Sequence, residues 1–361
     1  MVSLLHTADI HLDPAVPERR EGLERILTVA DDENVDLLTI GGDLFDSEVA
    51  AEELRDSLRE LFSGRDFPIL TIPVNHDADA FRGNLMFGEN LKPVTVEPFE
   101  HVLFDDEIRV TCLPYTPQAT DELLIALSDR EPFEGVEVLL LHCSLEAPVH
   151  GGVGDEGEER YFPIGMETLA ELDFDYYLAG HYHQNHRVQL SNGGTFVYPG
   201  TPTSVTRSET RQRTVVMVDT AAEQSVRFSR LDTFHYDELH RRVTPGNESD
   251  VIDTIEQTVE TWADRIVDAR IILDGYTEMD ESTFDAAVSK ASGEFPVTNG
   301  TRTVEHILAH PLFRDFEAEL DDREVPQAAE AREDYDPDQF RDDVWEHMVD
   351  VFARLSAEGS L

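Results

Sequence analysis

The chain has 361 residues, with 76 acidic against 28 basic side chains, a formal net charge of −48 and 40% hydrophobic residues. That length is too great for one typical compact core and predicts two or three domains. No run approaches the ~20 apolar residues of a membrane span, and the two cysteines, Cys112 and Cys143, lack metal-ligand spacing and read as free thiols rather than as a disulfide framework.

Only two of the basic residues are lysines, Lys92 and Lys290, so nearly all positive charge is arginine. A charge of this size destabilises a compact fold by self-repulsion. At about 1 M salt the Debye length falls to roughly 3 Å and most of that repulsion is removed. The composition therefore predicts a halophilic protein in a salty cytoplasm, and it does not exclude nucleic acid as a partner. The start, MVSLLHTADIHL, runs directly into a strand pattern, with no basic segment or cleavage site. A cytoplasmic location is expected.

Val2–Ala8 is a mostly apolar run that predicts a strand, followed by Asp9-Ile10-His11. An aspartate and a histidine two apart extend from the same side of a strand end and can reach one cation. Pro17–Asn34 has helical spacing, with Leu23, Ile26, Leu27 and Ala30 on one face. Leu37–Ile40 is a strand that stops at Gly41-Gly42-Asp43. Asp43 either caps the next helix or is held at the sheet edge as a ligand. Val49–Phe62 predicts a second helix. Pro68–Val74 predicts a third strand, ending in Asn75-His76-Asp77. This β-α-β-α-β order is the pattern of a parallel sheet covered by helices.

Val94–Leu103 and Ile108–Leu113 read as a hairpin around Asp105-Asp106, and Ala119–Leu127 as a helix. Val136–Leu141 predicts a strand ending in His142. His150–Arg160 is Gly-rich and acidic and reads as a mobile loop. Met166–Leu172 predicts a short helix, and Tyr176–Ala179 a strand ending in Gly180-His181-Tyr182-His183. Val188–Leu190, Thr195–Tyr198 and Thr214–Asp219 read as strands of a closing sheet. Together these predict an α/β sandwich of two face-packed sheets with outer helices over 1–220. Ser249–Trp262, Ala269–Leu273, Glu281–Ser292 and Gly300–Val304 alternate as helix, strand, helix, strand, a small α/β domain over 221–310. The rest, 311–361, holds the acidic stretch Asp321–Asp338 and an amphipathic helix over Gln339–Leu355.

Asp9, His11, Asp43, Asn75, His76, His142, His181 and His183 all follow apolar strands, and each is a metal-capable or acid–base side chain. In α/β proteins, sites lie beyond the carboxyl ends of the strands. Mixed imidazole and carboxylate suits manganese, iron or zinc, whereas magnesium prefers oxygen. Leaving His76 aside, seven such ligands with one shared carboxylate, for which Asp43 is the candidate, are enough for two ions. Two ions about 3.5–4 Å apart clamp the attacking and leaving oxygens of a displacement at phosphorus.

The series DIH, GDLFD, NHD, a solitary His after a strand, and GHYH resembles the calcineurin-like metallophosphoesterases. Within them it is most similar to the SbcD nucleases and their Mre-eleven-type counterparts in double-strand-break repair. The nuclease branch is pointed to by GDLFD, by GHYHQNHR running into YPGTPTS, and by the small domain that follows. The resemblance implies a four-layer core and two divalent ions, manganese foremost. One ion would be held by Asp9, His11, Asp43 and His183, the other by Asp43, Asn75, His142 and His181. It implies that His76 sits over the scissile phosphate without binding metal, oriented by Asp77. Val74 stands where the family has glycine, and Asp46 where archaeal and eukaryotic relatives commonly have histidine.

Arg187, Arg207, Arg211 and Arg213 stand out in an acidic chain as candidate DNA-phosphate contacts. Pairing with neighbouring carboxylates would account for them equally well. The resemblance further implies a domain that caps the site, a homodimer, and a C-terminal helix docked on an SbcC-like coiled-coil ATPase. The expected function is cleavage of DNA as an exonuclease or endonuclease in break repair. The alternatives are a nucleotide or small-molecule phosphodiesterase or phosphatase, and a protein that mainly tethers DNA ends.

Overall fold

The computed structural model describes residues 2–74, 77, 79–81, 86–104, 106–146, 161–220, 222, 225–322 and 337–357. Asn75, His76, the stretch His150–Arg160 and most of Asp321–Asp338 lie outside the described residues. The chain forms two compact units, Met1–Asp237 with Arg265–Asp268, and Glu238–Asp264 with Ala269–Leu361.

The first unit opens with β1 (Ser3–Thr7), α1 (Pro17–Asp32), β2 (Leu37–Ile40), α2 (Glu48–Leu61) and β3 (Ile69–Thr71). The strands β1, β2 and β3 are parallel neighbours. Each is buried on both faces, as strands roofed by helices should be. Thus Leu5, Leu38 and Ile40 pack with Leu23, Ile26 and Leu27 of α1, while Leu4 and Leu37 face the opposite core. Pro17 starts α1, where its missing N–H costs nothing, and the Ser47 side chain accepts from Ala50 N to start α2.

The hairpin read around Asp105-Asp106 forms in the second sheet, and a short strand that the pattern does not predict precedes it in the first. A short strand β4 (Leu91–Pro93) pairs with β3 and ends the first sheet. The chain then crosses to start the second with β5 (Glu100–Phe104) and β6 (Ile108–Cys112), an antiparallel pair. Pro93 and Pro98 explain the break, since proline supplies no N–H to a ladder. After α3 (Asp121–Ser128) come β7 (Val136–His142), a small pair β8 (Leu145–Glu146) and β9 (Ile164–Gly165), α4 (Met166–Glu171), β10 (Tyr176–Gly180), β11 (His186–Gln189) and β12 (Thr195–Tyr198). The second sheet has the order β11-β12-β10-β7-β6-β5.

The next two strands, β13 (Thr214–Asp219) and β14 (Val226–Arg230), return to the first sheet, whose order is β14-β13-β1-β2-β3-β4. Thr214–Asp219, read as part of a closing sheet with the two strands before it, therefore lies antiparallel beside β1 in the other layer. The inner faces enclose one core, with Leu4, Leu37 and Leu70 from one sheet and Val138, Leu140 and Leu178 from the other. A buried histidine, His6, bridges the two sheets. His6 Nδ1 lies 3.0 Å from Thr39 Oγ1, and Nε2 lies 3.2 Å from the carbonyl oxygen of Ala179 in the opposite sheet. Burial lowers its pKa to about 4, so the ring is neutral. Cys112 and Cys143 are buried free thiols, both pushed up to about 12 by burial.

The second unit holds a sheet built from β15 (His235–Val243), β16 (Val267–Thr277), β17 (Val297–Asn299) and β18 (Arg302–Thr303). Its helices are α5 (Glu248–Ala263), α6 (Glu281–Ser292), α7 (Glu305–Leu308), α8 (Pro311–Asp322) and α9 (Pro337–Ala357). The helix α8 falls where the sequence pattern predicts none. Its Phe313 is fully buried and packs edge-on to Phe352 of α9, with ring centroids 5.2 Å apart. Val349 and Phe352 are thus buried within their own unit, which uses part of the apolar face predicted for the C-terminal helix.

Candidate metal centre

The parallel strands β1, β2, β3, β7 and β10 all end at one edge of the sandwich. The turns after β1 and β2 are zipped together beyond the sheet: Asp9 N donates to Gly42 O at 3.1 Å and His11 N to Asp43 O at 2.9 Å. The strand β1 stops at Thr7, so Asp9 and His11 are not carried on a strand face. Instead Asp9 (φ 54°), His11 (φ 49°), Asp43 (φ 49°) and His181 (φ 99°) all have left-handed backbone. Such residues cost of order 1 kcal/mol or more each and persist where the surroundings over-determine them. Gly42, at φ 101°, lets the second sheet approach. A Cβ there would stand 2.6 Å from His142 Nδ1.

Six of the candidates converge on this edge: Asp9, His11, Asp43, His142, His181 and His183. Asp9 and Asp43 are fully buried, and His11, His142 and His183 are nearly so. Asp43 Oδ2 lies 3.4 Å from His142 Nε2 and 4.0 Å from His11 Nε2. His11 Nε2 faces His183 Nε2 at 3.4 Å. The His181 backbone N–H donates to both Asp9 carboxylate oxygens, at 3.0 and 3.1 Å, and its ring stands edge-on to His142. Two groups of side chains bring their ligand atoms within 4.8 Å of one another, Asp9–His11–His183 and Asp9–Asp43–His142. Asp9 is common to both.

The ring nitrogens test whether this set suits a cation. His142 Nδ1 lies 2.9 Å from Gly41 O and His183 Nδ1 lies 3.0 Å from Glu209 Oε1. Those acceptors need the proton on Nδ1, which leaves each Nε2 with its lone pair turned inward. One lone pair faces a carboxylate oxygen and the other faces a second imidazole nitrogen. Donors so crowded and buried repel unless a cation or proton lies among them, and the mixed nitrogen–oxygen set suits a transition metal ion.

Other residues hold these ligands. The Glu209 carboxylate is fully buried and accepts from His183, Thr201 Oγ1 at 2.8 Å, and Val205 N and Thr206 N at 3.0 Å each. Burial opposes its ionisation, but the hydrogen bonds from His183, Val205 N and Thr201 outweigh burial and hold it below the usual carboxylate range. Arg19 Nη1 donates to His11 O at 2.6 Å and to Asp46 Oδ1 at 2.8 Å. Tyr161 walls the site, its ring 5.2 Å from His142 and its hydroxyl accepting from Thr116 N at 2.9 Å.

Asp77 is fully buried, and its carboxylate accepts from Val74 N and Leu44 N, each at 2.9 Å. It ties the turn after β3 to the Asp43 turn. Burial pushes its carboxyl up to about 7, while the N–H donors favour the ionised form. The expected bond from Asp77 to His76 lies outside the described residues.

The four arginines fall into different environments. Arg213 is buried, donating to Thr201 O at 2.9 Å, to Thr201 Oγ1 at 2.7 Å and to His183 O, so it braces the metal-centre turn from within. Arg207 pairs with Asp268 at 3.1 Å, and Arg187 donates to Val226 O at 2.9 Å. Arg211 is exposed and lines a cleft. Glu209, Arg19 and Tyr161 carry no sequence signal of a site role. Glu209 lies among arginines and reads as their counter-charge.

Residues 2–185 match the calcineurin-like phosphoesterase family. The chain belongs to that family. Over 242 residues it is 26% identical to the DNA double-strand break repair protein Mre11 of Methanopyrus kandleri, covering 58% of this chain and 50% of that protein. Over 254 residues it is 26% identical to SbcD of the SbcCD nuclease of Staphylococcus epidermidis, covering 58% of this chain and 64% of that protein. The chain thus spans between half and two thirds of the length of these relatives. Among solved structures, a dimetal phosphatase from Danio rerio is similar at a TM-score of 0.42 and 11% identity, over 64% of this chain and 96% of that one. That likeness is too slight to bear on function. Among the described residues, no helix of the phosphoesterase is long and apolar enough to cross a membrane.

Proposed function

We propose that this phosphoesterase is a two-metal phosphodiesterase that cleaves DNA, with manganese as its foremost ion and an SbcC-like ATPase as its partner in break repair. The observation that carries the reading is the set of inward-facing lone pairs on His142 and His183, beside Asp9 and Asp43, at one sandwich edge. The similarity to proteins named for break repair and nuclease activity favours DNA over a small ester. In this reading Asp9, His11, Asp43 and His183 hold one ion and Asp43, Asn75, His142 and His181 the other. Divalent ions held so polarise a phosphoester and lower the pKa of a bound water.

The chain's own groups divide the remaining work. Gly41 O and Glu209 keep His142 and His183 in the tautomer that presents Nε2. Arg19 and Arg213 fix the His11 and His183 carbonyls, and so the turns that carry the ligands. His76 protonates the leaving oxygen or steadies charge on the phosphate, roles worth about 10²–10⁴ in rate. The domain after β14 helps select the DNA form, and the C-terminal helix docks on the ATPase with the part of its apolar face left by Phe313.

The test compares linear duplex DNA, bis-p-nitrophenyl phosphate and p-nitrophenyl phosphate with the intact chain, manganese and molar KCl. Manganese-dependent release of nucleotides from DNA and hydrolysis of the diester, with little monoester turnover, is the expected result. Fast monoester turnover with DNA left intact, with or without an ATPase partner, would make the chain a phosphatase and overturn the proposal.

A further inference from the structure

A cleft of about 520 Å³ opens in the first unit, beside the strand end that carries His183. Gln184 and Asn185, the residues directly after that histidine, form part of its wall. Arg211, Arg230 and Arg265 line it together with Arg213, whose donors are taken as described above, and with the neutral Thr210, Gln212 and Thr214, and Asp237 is the single carboxylate of the lining.

The charge arrangement runs against the rest of the molecule. Acidic residues outnumber basic ones 76 to 28. Arg19, Arg65, Arg109 and Arg227 accordingly each hold a carboxylate. Among the described residues, Arg211, Arg230 and Arg265 hold none and donate no side-chain hydrogen bond. Three guanidiniums around one concavity repel one another, and in so acidic a chain carboxylate partners would be easy to supply. Arg211 is moreover held in left-handed backbone (φ 81°), with its N–H bonded to Tyr236 O at 2.9 Å. A non-glycine residue in that conformation is kept only where its surroundings fix it.

We propose that this cleft is an anion site that binds a phosphate group. Forked guanidinium donors match phosphate oxygens, Gln184 and Asn185 supply neutral polar groups, and the volume admits a nucleotide-sized ligand. The site goes beyond the hydrolytic reading, since it would bind phosphate whether or not the metal centre cleaves anything. The phosphate has two possible sources, a free phosphate or nucleotide and the backbone of a nucleic-acid strand passing the metal centre.

The experiment titrates the intact chain in EDTA, so that metal-dependent binding is absent. The probes are inorganic phosphate, AMP and a labelled ten-nucleotide single strand, over a series of KCl concentrations. The variants are Arg211→Gln with Arg230→Gln, Arg265→Gln alone, and Arg227→Gln as an arginine outside the cleft. All should keep the wild-type circular dichroism and manganese-dependent diester turnover, which separates a failed cleft from a failed metal centre. Wild type should bind with an affinity that falls as salt rises. The double variant should lose at least tenfold and Arg265→Gln severalfold, with Arg227→Gln unchanged. Loss with all three probes identifies free phosphate as sufficient; loss with the strand alone identifies the backbone as the source. Unchanged binding of every probe by the double variant and by Arg265→Gln would overturn the proposal.

Discussion

Glu209 Oε1 stands 3.0 Å from His183 Nδ1, and the same carboxylate gathers Thr201 and the backbone of Val205 and Thr206. One buried side chain therefore fixes both a ligand's tautomer and the loop beneath it. Glu209→Gln replaces one acceptor oxygen by an N–H donor amid several donors. Manganese affinity measured by calorimetry should fall about 10–100-fold. The denaturant midpoint should fall by an amount equivalent to about 1–3 kcal/mol, because buried donors lose their acceptor. Unchanged manganese affinity would reduce Glu209 to a part of the loop alone.

Arg19 and Asp46 present a contrast of burial. Arg19 is 9% exposed and holds the His11 carbonyl at 2.6 Å, whereas the Asp46 side chain is 44% exposed. Arg19→Ala should cost about 2–3 kcal/mol, from lost packing and an unmet carbonyl, and should weaken metal binding. Asp46→Asn should cost only about 0.5–1 kcal/mol, as a half-exposed ion pair does. Equal losses in urea titrations would mean that Arg19 acts through Asp46 and not through the His11 turn.

Gly42 combines a positive φ of 101° with a Cβ position 2.6 Å from His142 Nδ1. Gly42→Ala should be destabilised by about 1–3 kcal/mol through strain and overpacking and should displace His142 from Asp43. Reduced manganese stoichiometry alongside a lower melting temperature is the expected pair of observations. A stable variant with full stoichiometry would show that the turn yields without moving the ligand.

His6 sets a pH dependence. Its folded pKa, about 4, lies below the ordinary value of 6.5 because burial disfavours the charged ring. The unfolded chain therefore takes up the proton first, so stability is full above about pH 6.5 and declines as pH falls toward 4. The span of the shift corresponds to about 3 kcal/mol. Wild type should lose stability more steeply across this window than His6→Gln, compared by urea midpoints at constant KCl. Parallel slopes would mean that His6 is not the buried neutral base described here.

What can be read from the sequence follows the range over which each feature is determined. The strands β1, β2 and β3 are short apolar runs spaced by amphipathic helices, so local pattern suffices, and Asp9, His11, Asp43, His142, His181 and His183 stand out as metal-capable residues directly after such runs. Pattern does not say which sheet a strand joins, so Thr214–Asp219 groups by pattern with its sequence neighbours rather than with its spatial partner β1, and the three-residue strand Leu91–Pro93 beside β3 is too short to stand out. Nor does charge report burial. Arg213 and Arg211 are two residues apart, yet one is sealed against Thr201 and the other is exposed. The helix α8 is hidden because DFEAELDD reads as solvated, while its place is decided by Phe313 against Phe352, 39 positions away.

In the proposed reading, the ligands at the sandwich edge hold two ions through a shared Asp43. The number of manganese ions retained per intact chain bears on this without relying on turnover. It is measured by elemental analysis after equilibrium dialysis in molar KCl, for wild type and Asp43→Ala. Two ions per wild-type chain and none for Asp43→Ala are expected. A single ion in wild type, or one retained by Asp43→Ala, would refute the shared-carboxylate centre.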